Sequence, residues 1–305
     1  MQVLSINSAS LPGLGEHVRH SPLVPHQSMD ALVKYYDGKT RAILEKYGPG
    51  PRVHYHTGLM DEPPCPGLSP EKYRTQLVAS QERMLRYASE TWQLQPIQSS
   101  DVLDVGCGLG GGAIWLAQEY GTRVTGVTIA SSHLSLIKRF AAEAGVESLV
   151  RPMVCDALTV PGKDCFDAAF AIDSSSSFER GPWFQRLHKL LRSGGRVFIF
   201  DCFLGRPEYE EPFNRHWCAR IGSVSEYVRA AREAGFKLEL IEDVSRQARH
   251  FWATTLAMMR AEAYDARRNC IETRKLEESL SIHGLVRKGL DDGGLSHLLL
   301  SFTKA

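Results

Sequence analysis

The chain lacks the features that mark membrane, secreted and nucleic-acid-binding proteins. No apolar run among its 305 residues is long enough to span a bilayer. Residues 1–17 are polar and interrupted by proline and glycine, unlike the apolar region of a secretory signal. Lys and Arg number 36 against 35 Asp and Glu, and a net charge of +1 argues against a general nucleic-acid binder. We therefore predict a cytoplasmic protein with neither a membrane nor a nucleic-acid partner.

The sequence also lacks the cysteine spacing of a structural metal site. Its seven cysteines are scattered, and no two of them form a CxxC pair. Four stand in or beside apolar segments, where a free cysteine acts as a small hydrophobic side chain: Cys107, Cys155, Cys165 and Cys202. We predict no bound structural metal.

What the chain does have is a strand, a glycine cluster and a helix in direct succession, beginning with DVLDVGCGLGGG at residues 101–112. Gly106, Gly108 and Gly110 allow a tight turn and a close approach of the backbone to a ligand. Residues 113–120 have the apolar spacing of an amphipathic helix. A ligand at this turn would meet backbone N–H groups at a helix N-terminus, so the stretch predicts a nucleotide-like ligand.

Asp104 narrows the choice of nucleotide. Residues 106–111 also fit GxGxxG, so the glycines alone leave open a dinucleotide site or a turn without ligand. Dinucleotide-binding sequences usually carry an apolar residue where Asp104 stands. The pattern LDVGCGLG at residues 103–110 instead resembles motif I of the class I S-adenosylmethionine (SAM) methyltransferases. The resemblance implies that Asp104 supports the loop and the methionine end of SAM, and that the three glycines above pass beside it.

From Asp101 onward, strand-like and helix-like segments alternate. Strands are predicted at 101–106, 122–127, 150–155, 166–172, 195–201, 236–242 and 297–303, with helices near 111–120, 131–144, 181–192, 224–234 and 251–278. Such alternation predicts an α/β protein with right-handed crossovers and a mostly parallel sheet covered on both faces. The last segment is predicted as an antiparallel edge strand. The expected architecture is the Rossmann-like class I methyltransferase fold, a seven-stranded sheet with an N-terminal helical cap.

The N-terminal third is predicted to precede that core. We expect an arm and helical cap over residues 1–95, and a SAM-binding core over 96–305 with substrate-loop insertions at about 173–183 and 202–223. Residues 1–27 show no periodicity and predict a flexible or partner-dependent arm. A homo-oligomer, with this arm packed on a neighbouring subunit, is left open.

A second resemblance concerns the branch of the methyltransferases. GVTI at residues 126–129 resembles the cyclopropane fatty-acid synthases and sterol C-methyltransferases, and it places Thr128 where most relatives carry an acidic residue. In that branch Thr128 would face the ribose. His133 stands where a glutamine often contacts the same sugar, although an exposed residue in the first turn of a helix is the alternative.

Two further positions are carried over from the same branch. Asp156, followed by Ala157, matches the position where a carboxylate accepts a hydrogen bond from adenine N6. Gln81, in Ala79-Ser80-Gln81, resembles an element that touches SAM from the preceding helix. The alternatives are that Asp156 only caps a turn and that Gln81 is an ordinary polar helix residue.

The acceptor site is expected beyond the fourth and fifth strands. Loops there are rich in aromatic residues: Phe178, Trp183, Phe203, Tyr209, Phe213 and Trp217. Each one alone is more typical of loop packing, but as a set they predict a large apolar acceptor. We assign Phe178, Trp183, Phe203 and Trp217 to it.

The N-terminal segment resembles the cap of the isoprenoid C-methyltransferases, including the geranyl diphosphate methyltransferases. This resemblance rests on two motifs: YYD, which contains Tyr36, and VHYHTG, which contains His54 and Tyr55. In that family a tyrosine and an aromatic, histidine-rich loop close over SAM and acceptor. The HxH spacing of His54 and His56 would also suit a metal, but no third ligand is identifiable.

Methylation of an alkene carbon creates a carbocation, which aromatic faces stabilise and from which a carboxylate or imidazole removes a proton. Asp173, Tyr36 and His54 are the catalytic candidates. Asp173 stands where the branch commonly carries Glu, and capping of a serine-rich turn is its alternative. A diphosphate acceptor would need a cation such as Arg52 at the cavity mouth, and would bring Mg²⁺. O- or N-methylation of a natural product, a cyclase and a regulatory SAM binder remain as alternatives.

Overall fold

A computed structural model of the chain describes residues 29–268 and 274–305. The arm predicted over residues 1–27 lies outside the described residues, as do residues 269–273 within the helix predicted over 251–278. None of the described helices combines the length and apolarity that a bilayer crossing requires.

Helices and strands alternate from residue 101 onward, as predicted. The helices are α1 (Met29–Tyr47), α2 (Pro70–Thr91), α3 (Gly111–Tyr120), α4 (His133–Glu143), α5 (Arg180–Leu190), α6 (Glu210–Trp217), α7 (Val224–Glu233), α8 (Ser245–Arg268) and α9 (Arg274–Asp292). The strands are β1 (Asp101–Val105), β2 (Arg123–Thr128), β3 (Val150–Val154), β4 (Phe166–Ile172), β5 (Leu191–Leu204), β6 (Phe236–Asp243) and β7 (Leu295–Lys304). The helix predicted over 251–278 is thus replaced by two helices, α8 and α9.

Local sequence explains where several helices begin and end. Pro70 occupies the first turn of α2, where its missing N–H costs no hydrogen bond. Ser223 and Glu226 form a capping box at the start of α7. Gly48 and Pro49 follow the last residue of α1, and a helix does not continue through a glycine and a proline.

The described strands form one seven-stranded sheet in the order β3-β2-β1-β4-β5-β7-β6. All pairs from β3 to β5 are parallel, whereas β7 runs antiparallel to both β5 and β6. The α/β class and the mostly parallel sheet are therefore confirmed. The prediction that the last strand lies at the edge is wrong, because β7 pairs on both sides. Its residues are buried on both faces, which suits an interior strand.

Two hydrophobic clusters cover the two faces of the sheet. The larger contains buried side chains from α1–α4, α8 and α9, and the other is built around α5 and α7. Helix α8 packs along α2, and α9 packs along α8. The helices that cover the carboxyl ends of the strands, called the roof below, therefore come from both ends of the chain.

The segment after α1 is pressed against the core at two glycines. A Cβ on Gly58 would lie 2.1 Å from Ser80 Oγ, and one on Gly111 would lie 2.4 Å from the carbonyl oxygen of Val53. Both contacts require glycine. They fix the loop at residues 53–57 directly above the start of α3.

Candidate active site

A cavity of about 640 Å³ lies at the carboxyl ends of the strands, beneath α1, α6, α8 and α9. Strand order reverses between β1 and β4, and ligands of open α/β sheets bind at this point. The cavity reaches from the glycine turn after β1 to an aromatic wall beneath the roof. One end is thus suited to a nucleotide and the other to an apolar molecule.

The glycine turn forms one wall of the cavity. Gly106 and Gly108 line it, with φ of 77° and 54°. A Cβ on Gly108 would meet nothing within 4 Å, so the backbone there borders open space that a ligand can occupy. Gly110 does not line the cavity; it is the left-handed N-cap of α3 and its Cα faces Ile137. The turn needs all three glycines, but only two of them border the cavity.

Asp104 is 4% exposed and lines the cavity beside that turn. Burial raises the pKa of its carboxyl group to about 7, although the backbone N–H of Ala113 acts in the opposite direction. A carboxyl group buried in this way favours a cationic partner, which offsets the solvation lost on burial. The position therefore fits the ammonium group of a methionine moiety.

Thr128 and His133 form the next part of the wall, and both are buried. Thr128 Oγ1 accepts a hydrogen bond from the N–H of Ala130 at 3.2 Å and lies 3.4 Å from His133 Nδ1. His133 Nε2 lies 2.9 Å from Thr40 Oγ1 of α1, so the roof touches the cofactor end directly. His133 is therefore not an exposed residue of a helix first turn.

Of the remaining predicted cofactor residues, one lines the cavity and two do not. Ala157 lines the cavity, whereas Asp156 does not and accepts a hydrogen bond from the N–H of Leu158 at 2.9 Å. Gln81 is fully buried behind the loop at residues 53–57. Its side-chain amide donates to the carbonyl oxygens of His56 at 2.7 Å and His54 at 3.3 Å. Gln81 therefore positions the loop and does not line the cavity.

Asp173 connects that loop to the sheet. Its Oδ2 accepts a hydrogen bond from the N–H of Thr57 at 2.6 Å, and its Oδ1 lies 3.1 Å from His297 Nε2 on β7. Burial raises the pKa of Asp173, but the charge and hydrogen bond of His297 and the N–H of Thr57 outweigh it, and the pKa lies below its usual value. Asp173 is therefore an ionised carboxylate. Its φ of 45° is one that Asp tolerates better than most residues.

The two histidines of the loop each keep one ring nitrogen unpaired within the described residues. His54 Nε2 lies 2.9 Å from Glu82 Oε1 and its Nδ1 is buried without a partner. His56 Nδ1 donates to the carbonyl oxygen of Thr57 at 2.9 Å and its Nε2 is buried without a partner. Burial and neighbouring His54 lower the pKa of His56 to about 4.

Asp201 is a cavity residue that the sequence reasoning missed. It accepts hydrogen bonds from Ser175 Oγ at 2.6 Å and from the N–H groups of Ser176 and Cys202 at 2.9 and 2.8 Å. Burial and the charge of Asp173 raise its pKa to about 6. A charged residue inside the apolar run FIFDCF was the available signal.

Aromatic side chains form the far wall. Of the predicted aromatic residues, Tyr36, Tyr55, Phe213 and Trp217 line this wall, whereas Tyr209 does not line the cavity. Other aromatic residues of the wall were not assigned from the sequence: Tyr35, Tyr47, Phe251 and Trp252. The rings of Trp217 and Trp252 are 5.9 Å apart and edge-on. Tyr35 donates a hydrogen bond to the carbonyl oxygen of His216 at 2.9 Å, which joins α1 to α6.

Three of the residues assigned to the acceptor lie elsewhere. Trp183 and Phe203 are buried in the cluster around α5 and α7, on the opposite face of the sheet. Arg52 pairs with Glu82 at 3.0 Å and does not line the cavity. Phe178 does line it, but near the glycine turn, 3.7 Å from where a Cβ of Gly106 would lie.

The cations of the cavity are lysines and one arginine that sequence reasoning missed. Lys39, Lys46 and Arg74 line it. Burial lowers the pKa of Lys46 to about 8, with Glu262 favouring and Arg74 opposing its charge. Within residues 29–268 and 274–305, no three His, Cys, Asp or Glu side chains are placed to hold a metal ion.

Comparison with known proteins finds similarity to methyltransferases. Residues 102–195 match the methyltransferase domain family. Geranyl diphosphate 2-C-methyltransferase of Streptomyces lasalocidi is 27% identical over 246 residues, which cover 76% of this chain and 81% of that protein. A geranyl diphosphate methyltransferase solved with GPP and sinefungin shares the fold, with a TM-score of 0.76 and 21% identity over 91% of this chain and 99% of the other.

A second solved structure, geranyl diphosphate C-methyltransferase from Streptomyces coelicolor A3(2), holds Mg²⁺, geranyl-S-thiolodiphosphate and S-adenosyl-L-homocysteine. Its TM-score is 0.75 at 19% identity, over 93% of this chain and 100% of the other. The fold and the family match support a SAM-dependent methyltransferase. Within that class, the chain resembles the isoprenoid C-methyltransferases, as its sequence predicted.

Proposed function

We propose that the enzyme transfers the methyl group of SAM to an alkene carbon of a prenyl diphosphate, or a related isoprenoid, in specialised metabolism. The observation that carries this is a cavity that has the Asp104–glycine wall at one end and, at the other, aromatic side chains together with cations on α1. The similarity to geranyl diphosphate 2-C-methyltransferases supports the same acceptor class.

The cofactor end would hold SAM through the chain's own groups. SAM supplies an electrophilic methyl group bound to a positively charged sulfur. Asp104 would bind its ammonium group, Gly106 and Gly108 would allow close approach, and Thr128 and His133 would meet the ribose. Asp156 stays a proposed adenine ligand that would have to leave its turn. Because methyl transfer is an in-line displacement, this fixed placement of donor against acceptor supplies much of the rate.

The aromatic end would bind the isoprenoid chain and stabilise the cation. Tyr36, Tyr55 and Trp217 offer ring faces, and each cation–ring contact is worth about 0.5–2 kcal/mol depending on desolvation. Burial raises the pKa of Tyr36, which keeps its hydroxyl neutral. We assign Tyr36 to this wall. We assign His54, which Glu82 orients, to the loop above the cofactor.

The cations on the roof would bind the diphosphate. Lys39 and Lys46 both lie on α1 and line the cavity, whereas the predicted Arg52 is held by Glu82. Because the described carboxylates and histidines form no metal cluster, we propose that Mg²⁺ enters as part of the diphosphate substrate.

The direct test is turnover. Incubation with SAM and geranyl or farnesyl diphosphate is expected to release S-adenosylhomocysteine and a product heavier by one CH₂, with a new C-methyl signal in its NMR spectrum. A matched reaction without SAM controls for spontaneous change of the prenyl diphosphate. Failure with every prenyl substrate, together with ready methylation of a phenol or an amine, would contradict the proposal.

A hydroxyl acceptor is the second candidate, and one observation favours it. The Asp173–His297 pair could take the proton that methylation of a hydroxyl releases. Under this alternative the NMR spectrum would show an O-methyl group. SAM binding without any release of S-adenosylhomocysteine would instead indicate a cyclase or a regulatory SAM binder.

Substitution of Lys46 tests the diphosphate end. Lys46→Met keeps the side-chain volume and removes the charge, and it is expected to raise KM for the prenyl diphosphate about 10- to 100-fold, as for loss of a charged hydrogen bond. With a pKa of about 8, Lys46 is charged at lower pH, so the wild-type KM should rise as the pH passes 8. Lys138→Met is the control, because Lys138 is an exposed residue of α4. If the Lys46→Met variant had the wild-type KM at pH 7, the diphosphate would have to bind elsewhere.

A further inference from the structure

His297 lies at the floor of the cavity with one ring nitrogen engaged and the other unpaired. Its Nε2 is 3.1 Å from Asp173 Oδ1, and its Nδ1 is buried with no hydrogen-bond partner among the described residues. The ring lines the cavity although only 1% of the residue is exposed. We propose that His297 is the group that accepts the proton in the reaction and that Asp173 orients it. This inference rests on the proposed methyl transfer.

The hydrogen bond determines the tautomer of His297. An ionised carboxylate only accepts hydrogen bonds, so the Nε2–H of His297 must be the donor to Asp173. Nδ1 then carries a lone pair and is the basic atom of the neutral ring. Asp173 also stabilises the imidazolium that forms when Nδ1 takes a proton, as a carboxylate does beside a general base.

Asp173 itself is poorly placed to take the proton. Thr57 and His297 each occupy one of its two oxygens, and taking up a proton would weaken both interactions. The same contacts lower its pKa, which makes it a weaker base. Asp173 therefore acts as a positioning residue for His297.

The backbone holds His297 rigidly. Its N–H donates to Ser245 Oγ at 2.9 Å, and its carbonyl oxygen accepts from the N–H of Val244 at 3.0 Å. It pairs with Cys202 in the sheet, and its ring lies 5.0 Å from the ring of Phe200. A base fixed in this way loses little conformational freedom when a substrate binds.

The two other histidines that border this part of the cavity are weaker candidates. His56 donates from Nδ1 to a carbonyl oxygen, and burial lowers its pKa although the charges of Asp173 and Glu82 act in the opposite direction, so it is a weak base. His54 pairs with Glu82, but its Nδ1 would lie 2.7 Å from a Cβ on Gly111, beside the first turn of α3. His54 therefore lies at the cofactor end, beside the start of α3.

The step balances without another reactant. The alkene electron pair forms the new C–C bond to the methyl carbon, the C–S bond breaks, and its electrons remain on sulfur as S-adenosylhomocysteine. The neighbouring carbon is left as a cation. His297 Nδ1 then removes a proton from the methylated carbon, and the C–H electrons restore the double bond. The imidazolium returns its proton to solvent after product release.

His297→Gln is the test variant. The glutamine amide can still donate to Asp173, but it has no basic nitrogen. We expect kcat to fall about 100- to 10,000-fold, the usual contribution of a general base, with the Kd for SAM unchanged by calorimetry. The cation, once formed, should lose a proton elsewhere or capture water, so that mass and NMR spectra show other alkene isomers or an alcohol.

The pH profile separates a base from a structural role. A general base is inactive once it is protonated, so wild-type kcat should show a low-pH limb; Asp173, Asp201 and His56 are the other titratable groups that line this part of the cavity. That limb should vanish in His297→Gln. Asp173→Asn should also slow the reaction, and the double variant should be about as slow as the slower single one, because the pair acts as a unit.

His250→Gln is the matched control, because His250 is also buried and has an unpaired Nδ1 but does not line the cavity. It should keep wild-type products and kcat. Wild-type kcat and pH profile in His297→Gln would overturn the inference, and so would an equal loss in His250→Gln. If wild type methylates a phenol and no prenyl diphosphate, the proposed function fails, and the same variants assayed on the phenol still decide the role of His297.

Discussion

Asp104→Asn is expected to weaken SAM binding by about 2–4 kcal/mol, roughly 30- to 1,000-fold, as when one member of a buried ion pair is removed. The substitution keeps the shape of the side chain and removes the charge that would face the ammonium group. Calorimetric titration with SAM measures the loss. Asp101→Asn is the matched control, since Asp101 lies on the same strand but pairs with Arg123 and Arg192 away from the cavity.

The same carboxyl group predicts a pH dependence. Its pKa of about 7 means that Asp104 carries a proton below pH 7 and must lose it to pair with the ammonium group. The affinity for SAM should therefore fall as the pH drops below 7, by up to about tenfold per unit. The Asp104→Asn variant should lack this dependence. Unchanged SAM binding in the variant would show that the motif I assignment is wrong.

Gly111→Ala is expected to damage both stability and catalysis. The new methyl group would lie 2.4 Å from the carbonyl oxygen of Val53 and 2.7 Å from His54 Nδ1, and a backbone oxygen cannot rotate away. Such overpacking costs about 1–3 kcal/mol of unfolding free energy. It would also shift Thr57, whose N–H holds Asp173, and a displacement of 1 Å at a site can lower kcat about 100-fold.

Gly38→Ala provides the comparison for this substitution. Gly38 lies within α1, and a Cβ there would meet nothing within 4 Å. Its replacement should raise the unfolding free energy by about 0.5–1 kcal/mol, because alanine favours the helix. Denaturant titration and steady-state kinetics on both variants measure the effects. Wild-type kcat in Gly111→Ala would show that the loop at residues 53–57 does not position the reaction.

Positions at the ends of strands were the most predictable from sequence. Asp104 is the penultimate residue of β1 and Thr128 the last residue of β2, and the carboxyl ends of parallel strands meet at one edge of a sheet. Both line the cavity. Gln81 was placed in the right helix, but its side chain could not be assigned to loop or cavity, since that depends on how α2 packs against residues 53–57.

Aromatic residues of the substrate loops were less predictable. Trp183 and Phe203 are close in sequence to cavity residues, yet both face the opposite side of the sheet. Asp201 and Cys202 line the cavity, whereas Phe203, the next residue of β5, packs in the cluster around α5 and α7. Composition alone does not reveal which side of an element a ring will cover.

The sequence by itself determined the fold class, the nucleotide turn and the methyl donor. These depend on local patterns, namely alternating strands and helices and an acidic residue before three glycines. Only the tertiary structure decided which rings and cations form the acceptor cavity and which histidine meets Asp173. Asp173 and His297 are 124 residues apart. They meet because β7 inserts between β5 and β6, and a pairing made by sheet topology leaves no local trace in the sequence.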